Sequence, residues 1–154
     1  MKKVLFTLLA VFALSFAASA QNNAIGLRFA GGSGYAAEIS YLQGLGSNRI
    51  ELDLGLTNSF DNNYHYANLT GVYQWCFNIT GGLGWFVGAG ANLGVHFAKN
   101  ENPAFGLGVD GQIGLEYKFS FPLQLSFDVR PQYDLIGSAS GFGWGGALGV
   151  RYMF

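Results

Sequence analysis

The chain has one cysteine and three prolines in 154 residues, and only 11% of its residues are charged. With Cys76 alone, no disulfide can form within the chain, so the fold must hold without a covalent staple. A soluble domain carries about 25% charged residues, and 11% is too few to dress a watered surface. Neither sign of charge dominates, the formal net charge is −1, and there is no basic run, which excludes nucleic acid as a natural partner. Long hydrophobic runs are also missing. Half the residues are hydrophobic, yet beyond the N-terminus no stretch approaches the ~18 apolar residues that a membrane-crossing helix requires. The apolar character must therefore be delivered by alternation, within a chain that is 16% aromatic and holds 24 glycines.

The exception at the N-terminus reads as a targeting segment. Lys2 and Lys3 form a positive start, Val4 to Ala18 is apolar apart from Thr7 and Ser15, and Ala18-Ser19-Ala20 offers small residues for cleavage before Gln21. Residues 1–20 are expected to be a signal peptide and 21–154 a single domain. Cleavage removes two of the eight basic residues and none of the nine acidic ones, leaving a mildly acidic chain of charge about −3. No cysteine follows the cleavage site, so nothing supports a lipid anchor. Cys76 lies in Trp75-Cys76-Phe77 beside an expected turn and reads as a buried or interfacial thiol rather than a nucleophile.

Seven clusters rich in Gly, Asn, Ser or Pro interrupt the domain, which predicts eight strands near 24–30, 35–43, 49–57, 64–76, 82–97, 105–118, 123–135 and 142–154. Dividing each strand into its two faces sorts the charges. One face carries Ile25, Leu27, Phe29, Ile39, Leu52, Leu54, Leu69, Trp75, Trp85, Leu93, Val109, Ile113, Leu115, Phe127, Leu148 and Val150, with no ionisable acid or base. The other carries Arg28, Glu38, Glu51, Asp53, Asp110, Glu116, Lys118, Asp128, Arg130, Asp134 and Arg151, spaced by Gly, Gln74, Asn92, Gln112 and Gln124. Aromatic residues gather near the strand ends: Tyr41, Tyr73, Trp75, Phe77, Tyr117, Phe119 and Tyr152 toward one, and Tyr35, Phe97, Phe105, Tyr133 and Trp144 toward the other. Two girdles and strands of this length fit a tilted bilayer crossing with the apolar face toward lipid.

In hydrocarbon an open sheet edge would leave a row of unpaired backbone groups, so the sheet must close. The expected fold is all-β, an eight-stranded antiparallel up-and-down transmembrane barrel whose narrow interior is filled by side chains. Charges enclosed there need partners. Pairing about the short connections sets Arg28 opposite Glu38 and Asp110 opposite Arg130, puts Asp128 and Arg151 at similar depth on neighbouring strands, and lets Asp53 approach Asn68. Interior acids outnumber bases, so some carboxylates must be hydrated or protonated. The inner glycines give long charged side chains room. They are not phosphate loops, because no G-x-G-x-x-G leads into a helix. Pro131 conflicts with a closed ladder and requires a bulge or a water contact near the rim.

The signal segment, the alternation and the last strand together resemble the small eight-stranded outer-membrane barrels of the OmpA/OmpX type, over about residues 24–154. Gly149, Tyr152 and Phe154 match the G-x-x-aromatic-x-aromatic ending that this family presents to the barrel-assembly machinery, while Ala147 departs from its usual polar residue. The resemblance implies residence in the outer membrane, with outer-membrane lipids, lipopolysaccharide and the assembly machinery as partners. It implies no activity, since the family spans adhesins, structural proteins and lipid-modifying enzymes. Both termini are expected in the periplasm, leaving 31–34, 58–63, 98–104 and 136–141 as short outer connections. Their polar residues are Asp61, Asn62, Asn63, Lys99, Asn100, Glu101 and Asn102, which read as solvated loops or contacts to lipopolysaccharide head groups or divalent ions. A lipid-modifying enzyme would need a His with a Ser or an acid at the outer rim. Only His65 and His96 are available, with Ser59 near the first and no acidic partner fixed by spacing. The reading is a non-enzymatic barrel with a polar, plugged interior and no cofactor, catalytic residue or metal site, contributing to envelope integrity or small-ligand contact. A lipid-modifying enzyme and a soluble lipocalin-like barrel for an apolar ligand are the alternatives. The pattern says nothing of oligomeric state.

Overall fold

The computed structural model describes residues 23–32, 36–58, 64–98, 103–137 and 141–154. Eight strands run in order: β1 (Ala24–Gly32), β2 (Ala36–Leu45), β3 (Asn48–Asn58), β4 (Tyr64–Thr80), β5 (Leu83–Ala98), β6 (Ala104–Lys118), β7 (Leu123–Ile136) and β8 (Gly141–Met153). Each pairs antiparallel with the next, and β1 pairs with β8 through Gly26↔Arg151 and Leu27↔Val150, so the barrel closes and no edge remains. The boundaries follow the expected ones closely. The main difference is at β4, which runs four residues past its expected end to Thr80 because Asn78 and Thr80 pair with Gly84 and Leu83. Only Gly81 and Gly82 are left to turn the chain, with φ of 51° and 91°, the pair of positive values that a tight hairpin turn demands.

Three short turns, at 46–47, 81–82 and 119–122, lie at the end of the barrel that also carries Asn23 and Phe154; we refer to it as the turn end. In the last of these, Phe119 N donates to Leu123 O at 3.0 Å, and near it Phe154 N donates to Asn23 O at 2.9 Å, tying the terminal strands together. The opposite, loop end carries the connections after β1, β3, β5 and β7. Most of the connection residues at 31–34, 58–63, 98–104 and 136–141, with Asp61, Asn62, Asn63, Lys99, Asn100, Glu101 and Asn102, lie outside the described residues, as does the segment 1–20.

The two faces separate as the alternation requires. Leu93, Leu115 and Val150 are exposed on the outer wall and Leu52 is half-exposed, while Glu51, Asp110 and Arg151 are enclosed. An outer surface of this composition suits hydrocarbon and not water, so the barrel spans a membrane. At the turn end the aromatic girdle is built of touching rings. Phe77 stacks on Trp85 at 4.5 Å, Tyr73 meets Trp75 edge-on at 5.1 Å, and Tyr117, Phe119 and Phe121 form a chain of contacts.

The interior is not wholly polar. Leu42, Val72 and Phe86 are buried on the inner phase, where the sequence pattern suggested only polar residues and glycine. A lumen of eight strands must be filled, and these side chains fill its turn-end half. Gly114 makes the room: a Cβ there would sit 2.5 Å from Phe86 Cζ and 2.7 Å from Asp128 Cβ.

Pro131 is accommodated differently from the expectation. The β6–β7 ladder pairs Asp110 with Gln132 and Ile113 with Val129, in one register, with no partners between. The proline thus falls in a gap of the ladder opposite Gly111, where a Cβ would lie 3.3 Å from its Cγ. The register shift on this seam is elsewhere, between Leu107 and Gly108, so the bulge is at Leu135.

Ile113 is 53% exposed near the middle of β6. Ile113→Arg is expected to lower the unfolding free energy in phospholipid vesicles by about 2–4 kcal/mol, the cost of arginine facing the mid-bilayer. A loss below about 0.5 kcal/mol, as at an ordinary watered surface, would contradict the lipid-facing assignment.

The enclosed polar network as candidate functional site

Alternate residues of every strand point inward, and the largest of them are charged. Four arginines (Arg28, Arg49, Arg130, Arg151) and six acids (Glu38, Glu51, Asp53, Asp110, Glu116, Asp128) are buried. Charges removed from water survive only when paired and hydrogen-bonded, so their geometry decides what the lumen can do.

Glu51 on β3 is the hub. Its Oε1 accepts from Arg151 Nη2 at 3.0 Å and Arg130 Nη2 at 3.3 Å, with Arg28 Nε at 3.8 Å. Its Oε2 accepts from Gln74 Nε2 and, at 3.5 Å, from Gln112 Nε2. Three guanidiniums from β1, β7 and β8 thus converge on one carboxylate. Each is also held from another side. Arg28 forks onto Asp128 at 2.6 and 3.2 Å and reaches Glu38 at 2.5 Å. Arg130 pairs with Asp53 at 2.6 Å. Arg151 donates to Ser40 at 2.9 Å and Ser126 at 2.7 Å. Bidentate, charge-assisted bonds of this kind are short and geometrically selective.

A second group lies nearer the turn end. Glu116 accepts from Arg49 Nη1 and from Gln124 Nε2 at 2.6 Å, and Lys118 Nζ lies 3.3 Å from its other oxygen. Arg49 also donates to Gln74 and lies over the Phe86 ring at 4.8 Å. Gln74 accepts from Arg49 and donates to Glu51, which links the two groups, and it also donates to Gln112 at 2.7 Å.

Of the pairings expected from the sequence, Arg28 with Glu38 is present, and the two residues are direct cross-strand partners. The others are corrected. Asp110 stands opposite Gln132, not Arg130, and takes its bond from Asn92 Nδ2 at 2.9 Å. Asp128 and Arg151 are not level, since Asp128 pairs with Ala147 and Arg151 with Gln124 across the β7–β8 ladder, and they bond Arg28 and Glu51 instead. Asp53 faces Thr70, while Asn68 faces Gly55 and bonds Thr70 at 3.4 Å. The reason is reach: an arginine in a narrow cylinder spans it, so its best carboxylate is often on a distant strand. Lys118, expected inside, keeps its ammonium half-exposed at the mouth. Arg49 was not among the expected interior residues. Its position two residues before Glu51 on the same strand is the signal that could have found it.

Gly149, expected as part of an assembly signal with Tyr152 and Phe154, has a packing role as well. A Cβ there would lie 2.4 Å from Ser126 Oγ and 2.6 Å from Arg151 Nη1, so its absence lets the Arg151 side chain fold inward. Tyr152 and Phe154 are exposed on the outer wall. Cys76 is on the inner phase at the turn end, half-buried, with its thiol 3.8 Å from the Gln74 carbonyl. His65 and His96 occupy loop-end positions of β4 and β5, one residue out of step across the ladder, and their side chains lie outside the described residues.

A closed cylinder of eight antiparallel strands, apolar outside and charged within, is the architecture of a small outer-membrane β-barrel. Two solved structures share it. Neisserial surface protein A (NspA) superposes with a TM-score of 0.65 at 16% identity, covering 86% of this chain and 95% of that one. The N-terminal β-barrel domain of Pseudomonas aeruginosa OprF superposes with a TM-score of 0.62 at 17% identity, covering 86% and 98%. No protein-family model and no curated protein matches the sequence.

Replacing Glu51 by Leu leaves three buried guanidiniums without their common partner, and is expected to cost about 3–5 kcal/mol of unfolding free energy in detergent or vesicles. Glu51→Gln keeps the shape and one acceptor and should lose less. Equal stability of the Leu variant and the wild type would show that Glu51 is not the hub.

Proposed function

We propose that this protein is a non-enzymatic outer-membrane barrel of the OmpA/OmpX kind, plugged by its own side chains, that contributes to the integrity of the envelope. The observation that carries this reading is the web of charged bonds across the lumen. Arg28 and Arg151 place all three of their guanidinium nitrogens on carboxylates or hydroxyls, and Glu51 joins strands on opposite sides of the cylinder. A water-filled conduit would need these groups to face water instead of each other. The arrangement also argues against a lipocalin-like carrier, because an apolar ligand needs an apolar cavity and the centre of this lumen is ionic.

In this reading the turn end faces the periplasm, since short periplasmic turns and longer outer connections are the rule in such barrels. The girdles and the exposed Leu, Ile and Phe side chains hold outer-membrane lipids, and the outer connections meet lipopolysaccharide head groups. Gly149, Tyr152 and Phe154 serve as the ending presented to the assembly machinery. No lipid-modifying chemistry is assigned to His65 or His96, since the spacing fixes no acidic partner for either.

Reconstitution into planar lipid bilayers tests the plug. The wild-type barrel is expected to give no sustained conductance steps, whereas a steady open channel would overturn the reading. The enzymatic alternative is tested by mass spectrometry of lipid A from cells with and without the protein. An unchanged profile is expected, and loss of one modified species on deletion, restored by the wild type but not by His65→Ala/His96→Ala, would replace the structural role with an enzymatic one.

A further inference from the structure

The apolar wall is not equally tall around the barrel. On β4 to β8 the outward phase carries no charged or amide side chain over twelve residue steps: Ala67 to Ile79, Leu83 to Val95, Phe105 to Tyr117, Leu123 to Leu135 and Phe142 to Phe154. On β1 it holds only Ile25, Leu27 and Phe29 before Gly31. On β3 it runs from Ile50 to Leu56 and ends at Asn58, and on β2 Gln43 interrupts it between Tyr41 and Leu45. At ~3.3 Å per residue and a strand tilt of about 40°, the flank of β4–β8 is apolar over about 30 Å and that of β1–β3 over about 10–20 Å. The band of an outer-membrane barrel is about 25 Å tall, so one flank exceeds it and the other falls short.

The shortfall is at both ends. β8 overhangs β1 at the loop end, where Trp144 and Phe142 lie beyond Leu148, the partner of Phe29. β4 overhangs β3 at the turn end, where Trp75, Phe77 and Ile79 lie beyond Tyr73, the partner of Ile50. A rigid tilt moves a whole flank up or down, so it cannot make good a deficit at two ends. The strands are also staggered. Following ladder partners round from Ile25 ends at Phe142 on β8, ten residues from Tyr152, the direct partner of Ile25, so partners climb by slightly more than one residue per strand. With that stagger Gln43 stands level with Leu115 and Tyr117 on the tall flank. Tyr41 Oη donates to Gln43 Oε1 at 2.9 Å, which puts an amide on the outer wall at a depth where β6 still presents Leu115, 51% exposed. An amide in hydrocarbon is costly, and head groups or water at this depth beside β2 remove the cost.

We propose that the barrel thins the bilayer along β1–β3, where its partner is lipid of short acyl chain, while β4–β8 hold chains of ordinary length. A membrane meets a short apolar wall by thinning against it, at a fraction of a kcal/mol per Å, and shorter chains lower that cost. The proposal rests on the lipid-facing wall and not on the filling of the lumen, so its failure leaves the plugged interior untouched.

Depth-resolved fluorescence quenching tests it. The stagger sets Leu56, at the loop end of β3, level with Val109 on β6 across the barrel, and both side chains are exposed. Leu56→Cys and Val109→Cys, each in a Cys76→Ser background and checked for folding by heat-modifiable gel mobility, carry a fluorophore in phosphatidylcholine vesicles. Lipids with quenchers at set depths are expected to place the Leu56 probe at the interface and the Val109 probe about 10 Å deeper. In vesicles of mixed chain length, brominated short-chain lipid is expected to quench the Leu56 probe about twofold more, relative to brominated long-chain lipid, than it does the Val109 probe. Ala37→Cys on β2 repeats the measurement on the short flank should Leu56→Cys not fold. Equal depths on the two flanks, or equal chain preference, would overturn the proposal. So would a Leu56 probe that quencher-bearing lipids fused into isolated outer membranes cannot reach, since a protein and not lipid would then cover the flank.

Discussion

A peptide group in hydrocarbon has no water to bond, and each one left unpaired costs several kcal/mol. From this the architecture follows. A chain whose described residues hold no long apolar helix can satisfy their backbone across a membrane only by pairing every strand on both sides, and the β1–β8 seam completes that circle. Once the circle closes, the outward phase belongs to lipid and the inward phase to an enclosure too narrow for bulk water. The charges collected on the inward phase are thereby committed to one another. The enclosed ion pairs are a consequence of closure at eight strands, not an addition to it.

The choice of glycine on the inner phase is the other half of the same constraint. A cylinder of this size cannot hold a bulky residue at every inward position. Where Arg151 bends toward Ser126 and Ser40, Gly149 has no Cβ to obstruct it; where Phe86 and Asp128 meet, Gly114 clears the space. Large and absent side chains alternate around the wall, so the arginines can cross the lumen. The packing is therefore specific in a way that an all-aliphatic core is not, because each guanidinium fork accepts only a narrow range of carboxylate positions.

The parts legible in the sequence are those with a short period. Alternation is a two-residue signal, and the turn clusters are local, so strand number, faces and the Arg28–Glu38 pair beside one hairpin could be read directly. The parts that were not legible depend on distance across the cylinder. Arg130 meets Asp53 and not Asp110, and Arg151 meets Glu51 and not Asp128, because the partner is set by stagger and side-chain reach rather than by neighbouring strands. Phe86, Val72 and Leu42 were hidden for a different reason: an apolar residue on the inner phase of a strand rich in apolar residues carries no contrast. Pro131 raised a correct objection, but no bulge answers it there, since Gly111 opposite lets the ladder skip a step without shifting register.

The two halves of the lumen differ, and the difference has a physical basis. Toward the turn end the inner phase holds Leu42, Arg49, Val72, Gln74, Phe86, Glu116, Gln124 and Arg151, all buried. Toward the loop end it holds Gly55, Gly94, Gly106, Gly108, Gly143 and Gly145, with Asn68, Asn92 and Asp134 folded over the nearest of them. The Arg49–Glu116 group thus lies where the strands are joined by the shortest turns, while Arg28, Asp53, Asp128 and Arg130 make their bonds nearer mid-barrel. Cross-lumen bonds and tight hairpins restrain the same set of residues, so their entropic costs overlap: an arginine reaching across an already fixed hairpin end loses less freedom than one reaching between strands joined by longer connections.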